Sequence, residues 1–137
     1  MAPIRHVVLT ISHGHPDFSP GGGEIAAYSL YREYQSHPAV EQSYLLARHE
    51  SGTGLSGEIR VLRDNELLWR REVADWFRMS TNSSARALED LLRALRPTIV
   101  HVHHYTHLGL EFLHTIKKVA PDATVLLTLH EYMAICF

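Results

Sequence analysis

The sequence is poor in cysteine and has no long hydrophobic run. Its only cysteine is Cys136, so an internal disulfide framework is excluded, and this usage is typical of a reducing compartment. No apolar segment has the length that a membrane-spanning helix needs, and the residues after Met1 lack the features of a signal peptide. We therefore expect a cytoplasmic protein, with at most a peripheral contact at the inner face of the membrane.

Charge of either sign is not in large excess. The sequence has 13 Lys and Arg against 15 Asp and Glu, a formal net charge of -2. Without a basic stripe, nucleic acid is not an expected partner. The 137 residues are 45% apolar, which suits one globular domain over residues 1–137 with a core of its own. The compositional excess is histidine, with 11 residues.

The last segment, Thr124–Phe137, is strongly apolar and has no polar tail. Chain termini usually lie at the surface and are polar or frayed. We therefore expect the sequence to be the truncated N-terminal part of a longer polypeptide.

Apolar segments of strand length alternate with segments of helical periodicity. The segments with strand character are Ile4–Ser12, Ser43–Ala47, Thr98–His104 and Ala123–Leu129. The last of these has the continuous apolar pattern of a buried strand, so we expect it to be buried. Helical spacing predicts helices from Glu24, from Asn82 or Ser83, and from Leu108, and it places Ala27, Leu30, Tyr31 and Tyr34 against a sheet. This alternation predicts an α/β fold, a Rossmann-like doubly wound and mostly parallel sheet.

The segment Glu58–Val73 has a different pattern. Two short runs flank a turn at Asp64-Asn65, and their apolar residues alternate with polar ones. The pattern predicts a half-exposed hairpin.

Polar clusters follow three of the predicted strands. They are the glycine loop, residues 13–24, the segment His103–His107, and the pair His130-Glu131. In parallel sheets, ligands bind beyond the carboxyl ends of the strands. The glycines Gly21–Gly23 let a ligand approach the main chain, and the helix after them points free N–H groups at a phosphate. A flexible loop remains the alternative explanation for these glycines.

Other nucleotide and metal motifs fit less well. The glycine loop matches neither G-x-G-x-x-G nor the G-K-[ST] ending of a P-loop. A metal-dependent hydrolase could use His103, His104 and His107, but aligning on His107 puts Thr106 where such enzymes have aspartate. We therefore expect no metal, a sheet-packed His101 on the same side as His103, and His104 on the other side.

Three phrases in order resemble the N-terminal half of family-4 retaining glycosyltransferases. They are PGGGE (Pro20–Glu24), RPTIVHVHH (Arg96–His104) and TLHEYMAIC (Thr128–Cys136). The resemblance spans residues 4–137 and implies the N-terminal half of a GT-B architecture. In that architecture this domain mainly binds the acceptor, and a C-terminal domain, absent here, binds the nucleotide sugar.

The resemblance also implies roles. His130 would be the catalytic histidine near the transferred sugar, and Gly21, Gly22 and Gly23 would bind the donor diphosphate. The positions implied for the acceptor side and rim of the cleft are Glu24, His103, His104 and Glu131. The partners would be a nucleotide-sugar donor and a carbohydrate or lipid-linked acceptor, as in polysaccharide biosynthesis, with no cofactor. We expect the chain alone to be inactive.

The sequence departs from the family pattern in three places. Glu131 stands for the usual aspartate, Thr98 for the aspartate of R-P-D, and His37–Leu46 lacks a G-H-E-V phrase. Because of the last departure, the sequence does not indicate which acceptor the domain would bind. A non-catalytic Rossmann-like binding module is a further alternative.

Overall fold

A computed structural model describes residues 2–49, 57–71, 82–105 and 108–130. The elements, in chain order, are β1 (His6–Ser12), α1 (Gly22–Ser36), β2 (Val40–His49), β3 (Ile59–Arg63), β4 (Glu66–Arg70), α2 (Asn82–Leu95), β5 (Ile99–His103), α3 (Glu111–Val119) and β6 (Thr124–Thr128). Within the described residues, no helix combines the length and the apolar character needed to cross a membrane.

The strands form one six-stranded sheet in the order β3-β4-β2-β1-β5-β6. The pairs β4-β2, β2-β1, β1-β5 and β5-β6 are parallel, and β3 pairs with β4 in the antiparallel direction. The predicted α/β class with a mostly parallel sheet is confirmed, and so is the hairpin with its turn at Asp64-Asn65.

Helices cover both faces of this sheet, as a doubly wound fold requires. On one face, Tyr31 of α1 packs with Leu45, Ala47 and Leu68. On the other face, the larger core joins α2 and α3 to the sheet; it includes Leu9, Ile11, Leu46, Trp69, Leu88, Leu92, Val100, Val102, Phe112 and Ile116. Because neighbouring residues of a strand point to opposite faces, Leu45 and Leu46 belong to different cores.

Several burial predictions were wrong because burial depends on the place of an element in the sheet. Leu30 of α1 is exposed, while Ala27 and Tyr31 are buried as expected. Val61 is 66% exposed because β3 lies at the sheet edge, and Leu67 and the other apolar residues of β4 are buried because β4 lies inside the sheet.

The predicted burial of the last strand was also wrong. Leu126 and Leu127 of β6 are each 44% exposed, because β6 is the outer strand of the described sheet and pairs only with β5 within it. Two helices also begin away from their predicted starts, whereas α2 begins at Asn82, one of the two starts predicted for it. α1 begins at Gly22 rather than Glu24, and α3 begins at Glu111 rather than Leu108.

Candidate functional site at the carboxyl edge of the sheet

The glycine loop leads from the carboxyl end of β1 directly into the N-terminus of α1. Gly21 is the N-cap residue, with an extended backbone at φ -120° and ψ 166°, and no side chain caps the helix. Gly22 and Gly23 form the start of the first turn. The first N–H groups of a helix have no partner within it, so this end offers hydrogen-bond donors and a partial positive charge.

His130 lies at the same end of the sheet, against this helix N-terminus. A Cβ atom on Gly23 would lie 3.3 Å from Cδ2 of His130 and 2.9 Å from Cε1 of His13, whereas one on Gly22 would meet no atom within 4 Å. Because Gly23 has no side chain, the imidazoles of His13 and His130 can pack against the start of α1, whereas Gly22 faces open space.

Four histidines gather here, and we call His13, His103, His104 and His130 the histidine cluster. The rings of His103 and His130 stack with centroids 5.4 Å apart, and His13 lies 5.7 Å from His104 and 6.4 Å from His130. These residues follow or end β1, β5 and β6, which are adjacent parallel strands. Parallel pairing brings the carboxyl ends of strands to one edge, so the predicted convergence of His103, His104 and His130 is confirmed.

His104 does not take the side that strand alternation predicts. The strand ends at His103, and His104 adopts a left-handed backbone with φ 66°, which brings its ring within 6.4 Å of His130. Its Nδ1 accepts a hydrogen bond from the backbone N–H of Tyr105 at 3.0 Å. A non-glycine residue in this conformation costs about 1–3 kcal/mol, and such residues concentrate at functional sites.

His103 lies beneath His130 and has no exposed surface. Its Nδ1 is 3.2 Å from Nε2 of His130. Burial, with a smaller contribution from the neighbouring histidines, lowers the pKa of His103 to about 4, and burial also lowers the pKa of His130. Both imidazoles are therefore neutral at pH 7. His103 is therefore separated from solvent and contacts His130, which is exposed.

His101 is packed within the sheet, as expected. Its Nδ1 is 2.8 Å from the hydroxyl of Tyr34, and its Nε2 is 2.8 Å from the hydroxyl of Thr128. The centroid of its ring lies 4.2 Å from that of His103, with the two rings tilted by 36°, on the same side of β5. Burial lowers the pKa of His101. His101 is therefore held by two hydroxyls and packs against the ring of His103.

His13 is a site residue that the sequence did not single out. Its Nδ1 lies 3.3 Å from the carbonyl oxygen of His103, and its Nε2 lies 3.3 Å from Oε1 of Glu24. A carbonyl and a carboxylate only accept hydrogen bonds, so both ring nitrogens of His13 face acceptors. Its position directly after β1, at the edge that the other histidines share, was the available signal.

Glu24 is buried within the glycine loop, with 8% exposed surface. Oε1 accepts a hydrogen bond from the hydroxyl of Ser19 at 3.2 Å, and the side chain fills the space that a Cβ atom on Gly14 or Gly21 would need. Glu24 thus shapes the glycine loop together with His13, rather than standing at the open edge of a cleft.

His15, another buried histidine, links the glycine loop to the hairpin. Nε2 of His15 lies 3.5 Å from Oε2 of Glu66, and Nδ1 of His15 accepts from the backbone N–H of Asp17. Arg63 closes the group, with Nη2 at 2.8 Å from Asp17 and Nε at 2.6 Å from Glu66. These contacts fix the start of the glycine loop onto β4.

A buried ion pair lies near the same edge, on the other face of the sheet. The guanidinium of Arg71 pairs with the carboxylate of Glu111, at the start of α3, and stacks 4.8 Å from the ring centroid of Trp69. Burial lowers the pKa of Arg71, and Glu111 opposes that shift. The pair joins the end of β4 to α3.

Two predicted residues, Glu131 and His107, lie outside the described residues. Within the described residues, no group of three His, Cys, Asp or Glu side chains is arranged to hold a metal ion. The hydrolase alternative depends on His107 and therefore stays a prediction.

Comparison with known proteins adds no assignment: neither the protein-family models nor the curated proteins contain a match to this chain. The proposal for its function therefore rests on the geometry of the site and on the three sequence phrases.

Proposed function

We propose that this chain is the N-terminal, acceptor-side domain of a retaining glycosyltransferase, which moves a sugar from a nucleotide-sugar donor to a carbohydrate or lipid-linked acceptor. One observation carries the proposal. The uncapped N-terminus of α1 and the imidazole of His130 meet at the carboxyl edge of the sheet, where the Cβ position of Gly23 is 3.3 Å from His130.

This arrangement suits the chemistry of sugar transfer. Negative charge develops on the leaving diphosphate as the bond to the sugar breaks, and preorganised N–H donors lower the barrier by stabilising that charge. The main chain at Gly22 can be approached closely because no side chain stands there. The N-terminus of a helix is a recurrent binding site for phosphate groups.

The carboxylate inventory of the site is also compatible with transfer rather than glycoside hydrolysis. Glycoside hydrolases use a pair of carboxylates on either side of the scissile bond. Among the described contacts of the histidine cluster, Glu24 is the carboxylate that takes part, and Ser19 and His13 already engage it. Glu24 therefore holds the glycine loop, which leaves His130 and the helix N-terminus to face the substrate.

The decisive test is turnover by the intact gene product that contains this chain. We expect His130→Ala to lower kcat/KM with a nucleotide sugar by about 10²–10³-fold, the usual effect of removing one preorganised donor. His114→Ala, on the exposed side of α3, is the matched control and should leave turnover unchanged. Equal turnover of the His130→Ala variant and the wild type would overturn the proposal.

Binding separates the proposal from a non-catalytic module. In ¹⁵N-labelled 137-residue chain, pyrophosphate should shift the amide signals of Gly22 and Gly23 and leave those around His114 unchanged. A module that only binds would show these shifts but no turnover in the intact gene product. Absence of the shifts would remove the diphosphate role from the glycine loop.

A further inference from the structure

We propose that His103 is a positioning residue that fixes the tautomer of His130, so that His130 offers Nδ1–H to an oxygen atom of the bound substrate. The inference deepens the proposed function and rests on it for the kind of substrate. It starts from the 3.2 Å contact between Nδ1 of His103 and Nε2 of His130.

The hydrogen bond between the rings of His103 and His130 contains one hydrogen atom, which belongs to one of the two nitrogens. Both imidazoles are neutral at pH 7, because burial and neighbouring histidines lower the pKa of each. A neutral imidazole has one N–H and one lone pair, so one ring donates to the other. The groups around His130 agree with a neutral ring: His13 and His104 disfavour its protonation, and Glu24 opposes them with a smaller effect.

The direction of the hydrogen bond follows from the far side of His103. Nε2 of His103 is buried and has no hydrogen-bond partner within the described residues. A buried N–H without a partner is rarer in proteins than an under-used acceptor. The hydrogen of His103 therefore belongs on Nδ1, which donates it to Nε2 of His130, and the buried Nε2 keeps its lone pair.

The tautomer of His130 is then determined. Because Nε2 accepts, the hydrogen of the neutral ring sits on Nδ1. His130 is exposed, and no described residue forms a hydrogen bond with Nδ1. The site thus presents a donor, suited to a phosphate or hydroxyl oxygen. It does not present a free lone pair that could take a proton as a general base.

Long-range ¹H–¹⁵N spectra of histidine-labelled 137-residue chain test the tautomer directly. The His130 signals are assigned by their loss in His130→Ala. At pH 7 we expect a protonated, pyrrole-type Nδ1 and a pyridine-type Nε2 in His130. The reverse pattern, or rapid averaging of the two, would overturn the inference whatever the activity of the intact gene product.

Two substitutions at position 103 separate positioning from bulk. His103→Asn keeps an N–H donor near the place of Nδ1 and should preserve the His130 tautomer, whereas His103→Leu should give a mixture. In the intact gene product, His103→Leu should lower kcat by about tenfold, the scale of one hydrogen bond, and His103→Asn should restore most of it. Loss of the tautomer in His103→Asn as well as in His103→Leu would contradict the role of the donor.

Adding pyrophosphate or methyl glucoside to the 137-residue chain tests which kind of substrate oxygen accepts the hydrogen bond from Nδ1 of His130. A change in the Nδ1 shift of His130 with pyrophosphate alone assigns the donor to a phosphate oxygen, and a change with the glucoside alone assigns it to a sugar hydroxyl. No change with either would overturn the ligand assignment. If the tautomer is as expected but the intact gene product transfers no sugar, only the proposed function fails.

Discussion

Substituting alanine for Gly23 tests the meeting of helix and imidazoles on which the site depends. The new Cβ atom would lie 2.9 Å from Cε1 of His13 and 3.3 Å from Cδ2 of His130. The His13 ring cannot turn aside freely, because the His103 carbonyl and the Glu24 carboxylate hold its two nitrogens. Gly22→Ala is the matched control, since its Cβ atom would meet nothing within 4 Å.

The expected sizes follow from two opposing effects. Neither glycine has a positive φ, so alanine fits both backbones and stabilises each by about 0.4–1 kcal/mol through the unfolded state. Overpacking costs about 1–3 kcal/mol and applies only at Gly23. Gly22→Ala should therefore be more stable than the wild type, and Gly23→Ala should be less stable than Gly22→Ala by about 1–3 kcal/mol.

Urea unfolding followed by circular dichroism measures this difference as a shift in midpoint at constant slope. Removing the nearer ring provides an internal check: in a His13→Ala background, the gap between Gly22→Ala and Gly23→Ala should shrink, with a coupling of about 0.5–3 kcal/mol. If the two alanine variants are equally stable in the wild-type background, Gly23 does not pack against these rings and the described site is wrong.

Two further predictions concern buried ionisable groups. Lowering the pH from 7 to 5 should reduce the urea midpoint, because His103 has a pKa near 6.5 in the unfolded chain and about 4 in the folded chain. The expected loss of unfolding free energy from His103 alone is about 2 kcal/mol. A stability that does not fall over this interval would contradict the burial of a neutral His103. Glu111→Gln should lower the free energy of unfolding at pH 7 by about 3 kcal/mol, because it leaves the cation of Arg71 buried without its partner. Glu33→Gln, on the exposed side of α1, is the control and should change this free energy little. Similar stabilities of the two variants in urea unfolding would show that the ion pair is not buried.

The alternation of strands and helices was predictable because it depends on local pattern. The apolar run from Ile4 and the histidine-bearing segment Thr98–His104 both form parallel strands of the sheet, as β1 and β5. Pro97 separates α2 from β5, as its missing N–H and fixed φ require. What the sequence did not contain was the position of each strand in the sheet, and this is why Val61 and Leu126 are exposed against expectation.

The site was predictable in outline for a related reason. Residues at or just beyond the carboxyl ends of neighbouring parallel strands must share one edge, so the meeting of His103 and His130 there needs no information on side chains. The contacts within the edge were not predictable, because they depend on local backbone geometry. The left-handed turn at His104 and the folding of Glu24 over Gly14 are such cases, and they determine where these side chains lie at the edge.

The charge of the site limits what it can do alone. A diphosphate carries more than one negative charge, and the N-terminus of α1 supplies a partial charge of only about half a unit. No lysine or arginine takes part in the described contacts of His13, Glu24 or His130, and the one carboxylate among them, Glu24, already contacts His13. Most of the compensating charge for a diphosphate must therefore come from groups beyond these residues, and this is the physical reason to propose a cleft with a second wall.

It follows that pyrophosphate should bind the 137-residue chain weakly, with a Kd of about 1 mM or above, which corresponds to a binding free energy of no more than about 4 kcal/mol. Micromolar binding would contradict this account, because it would require a cation at the site that the described contacts do not contain.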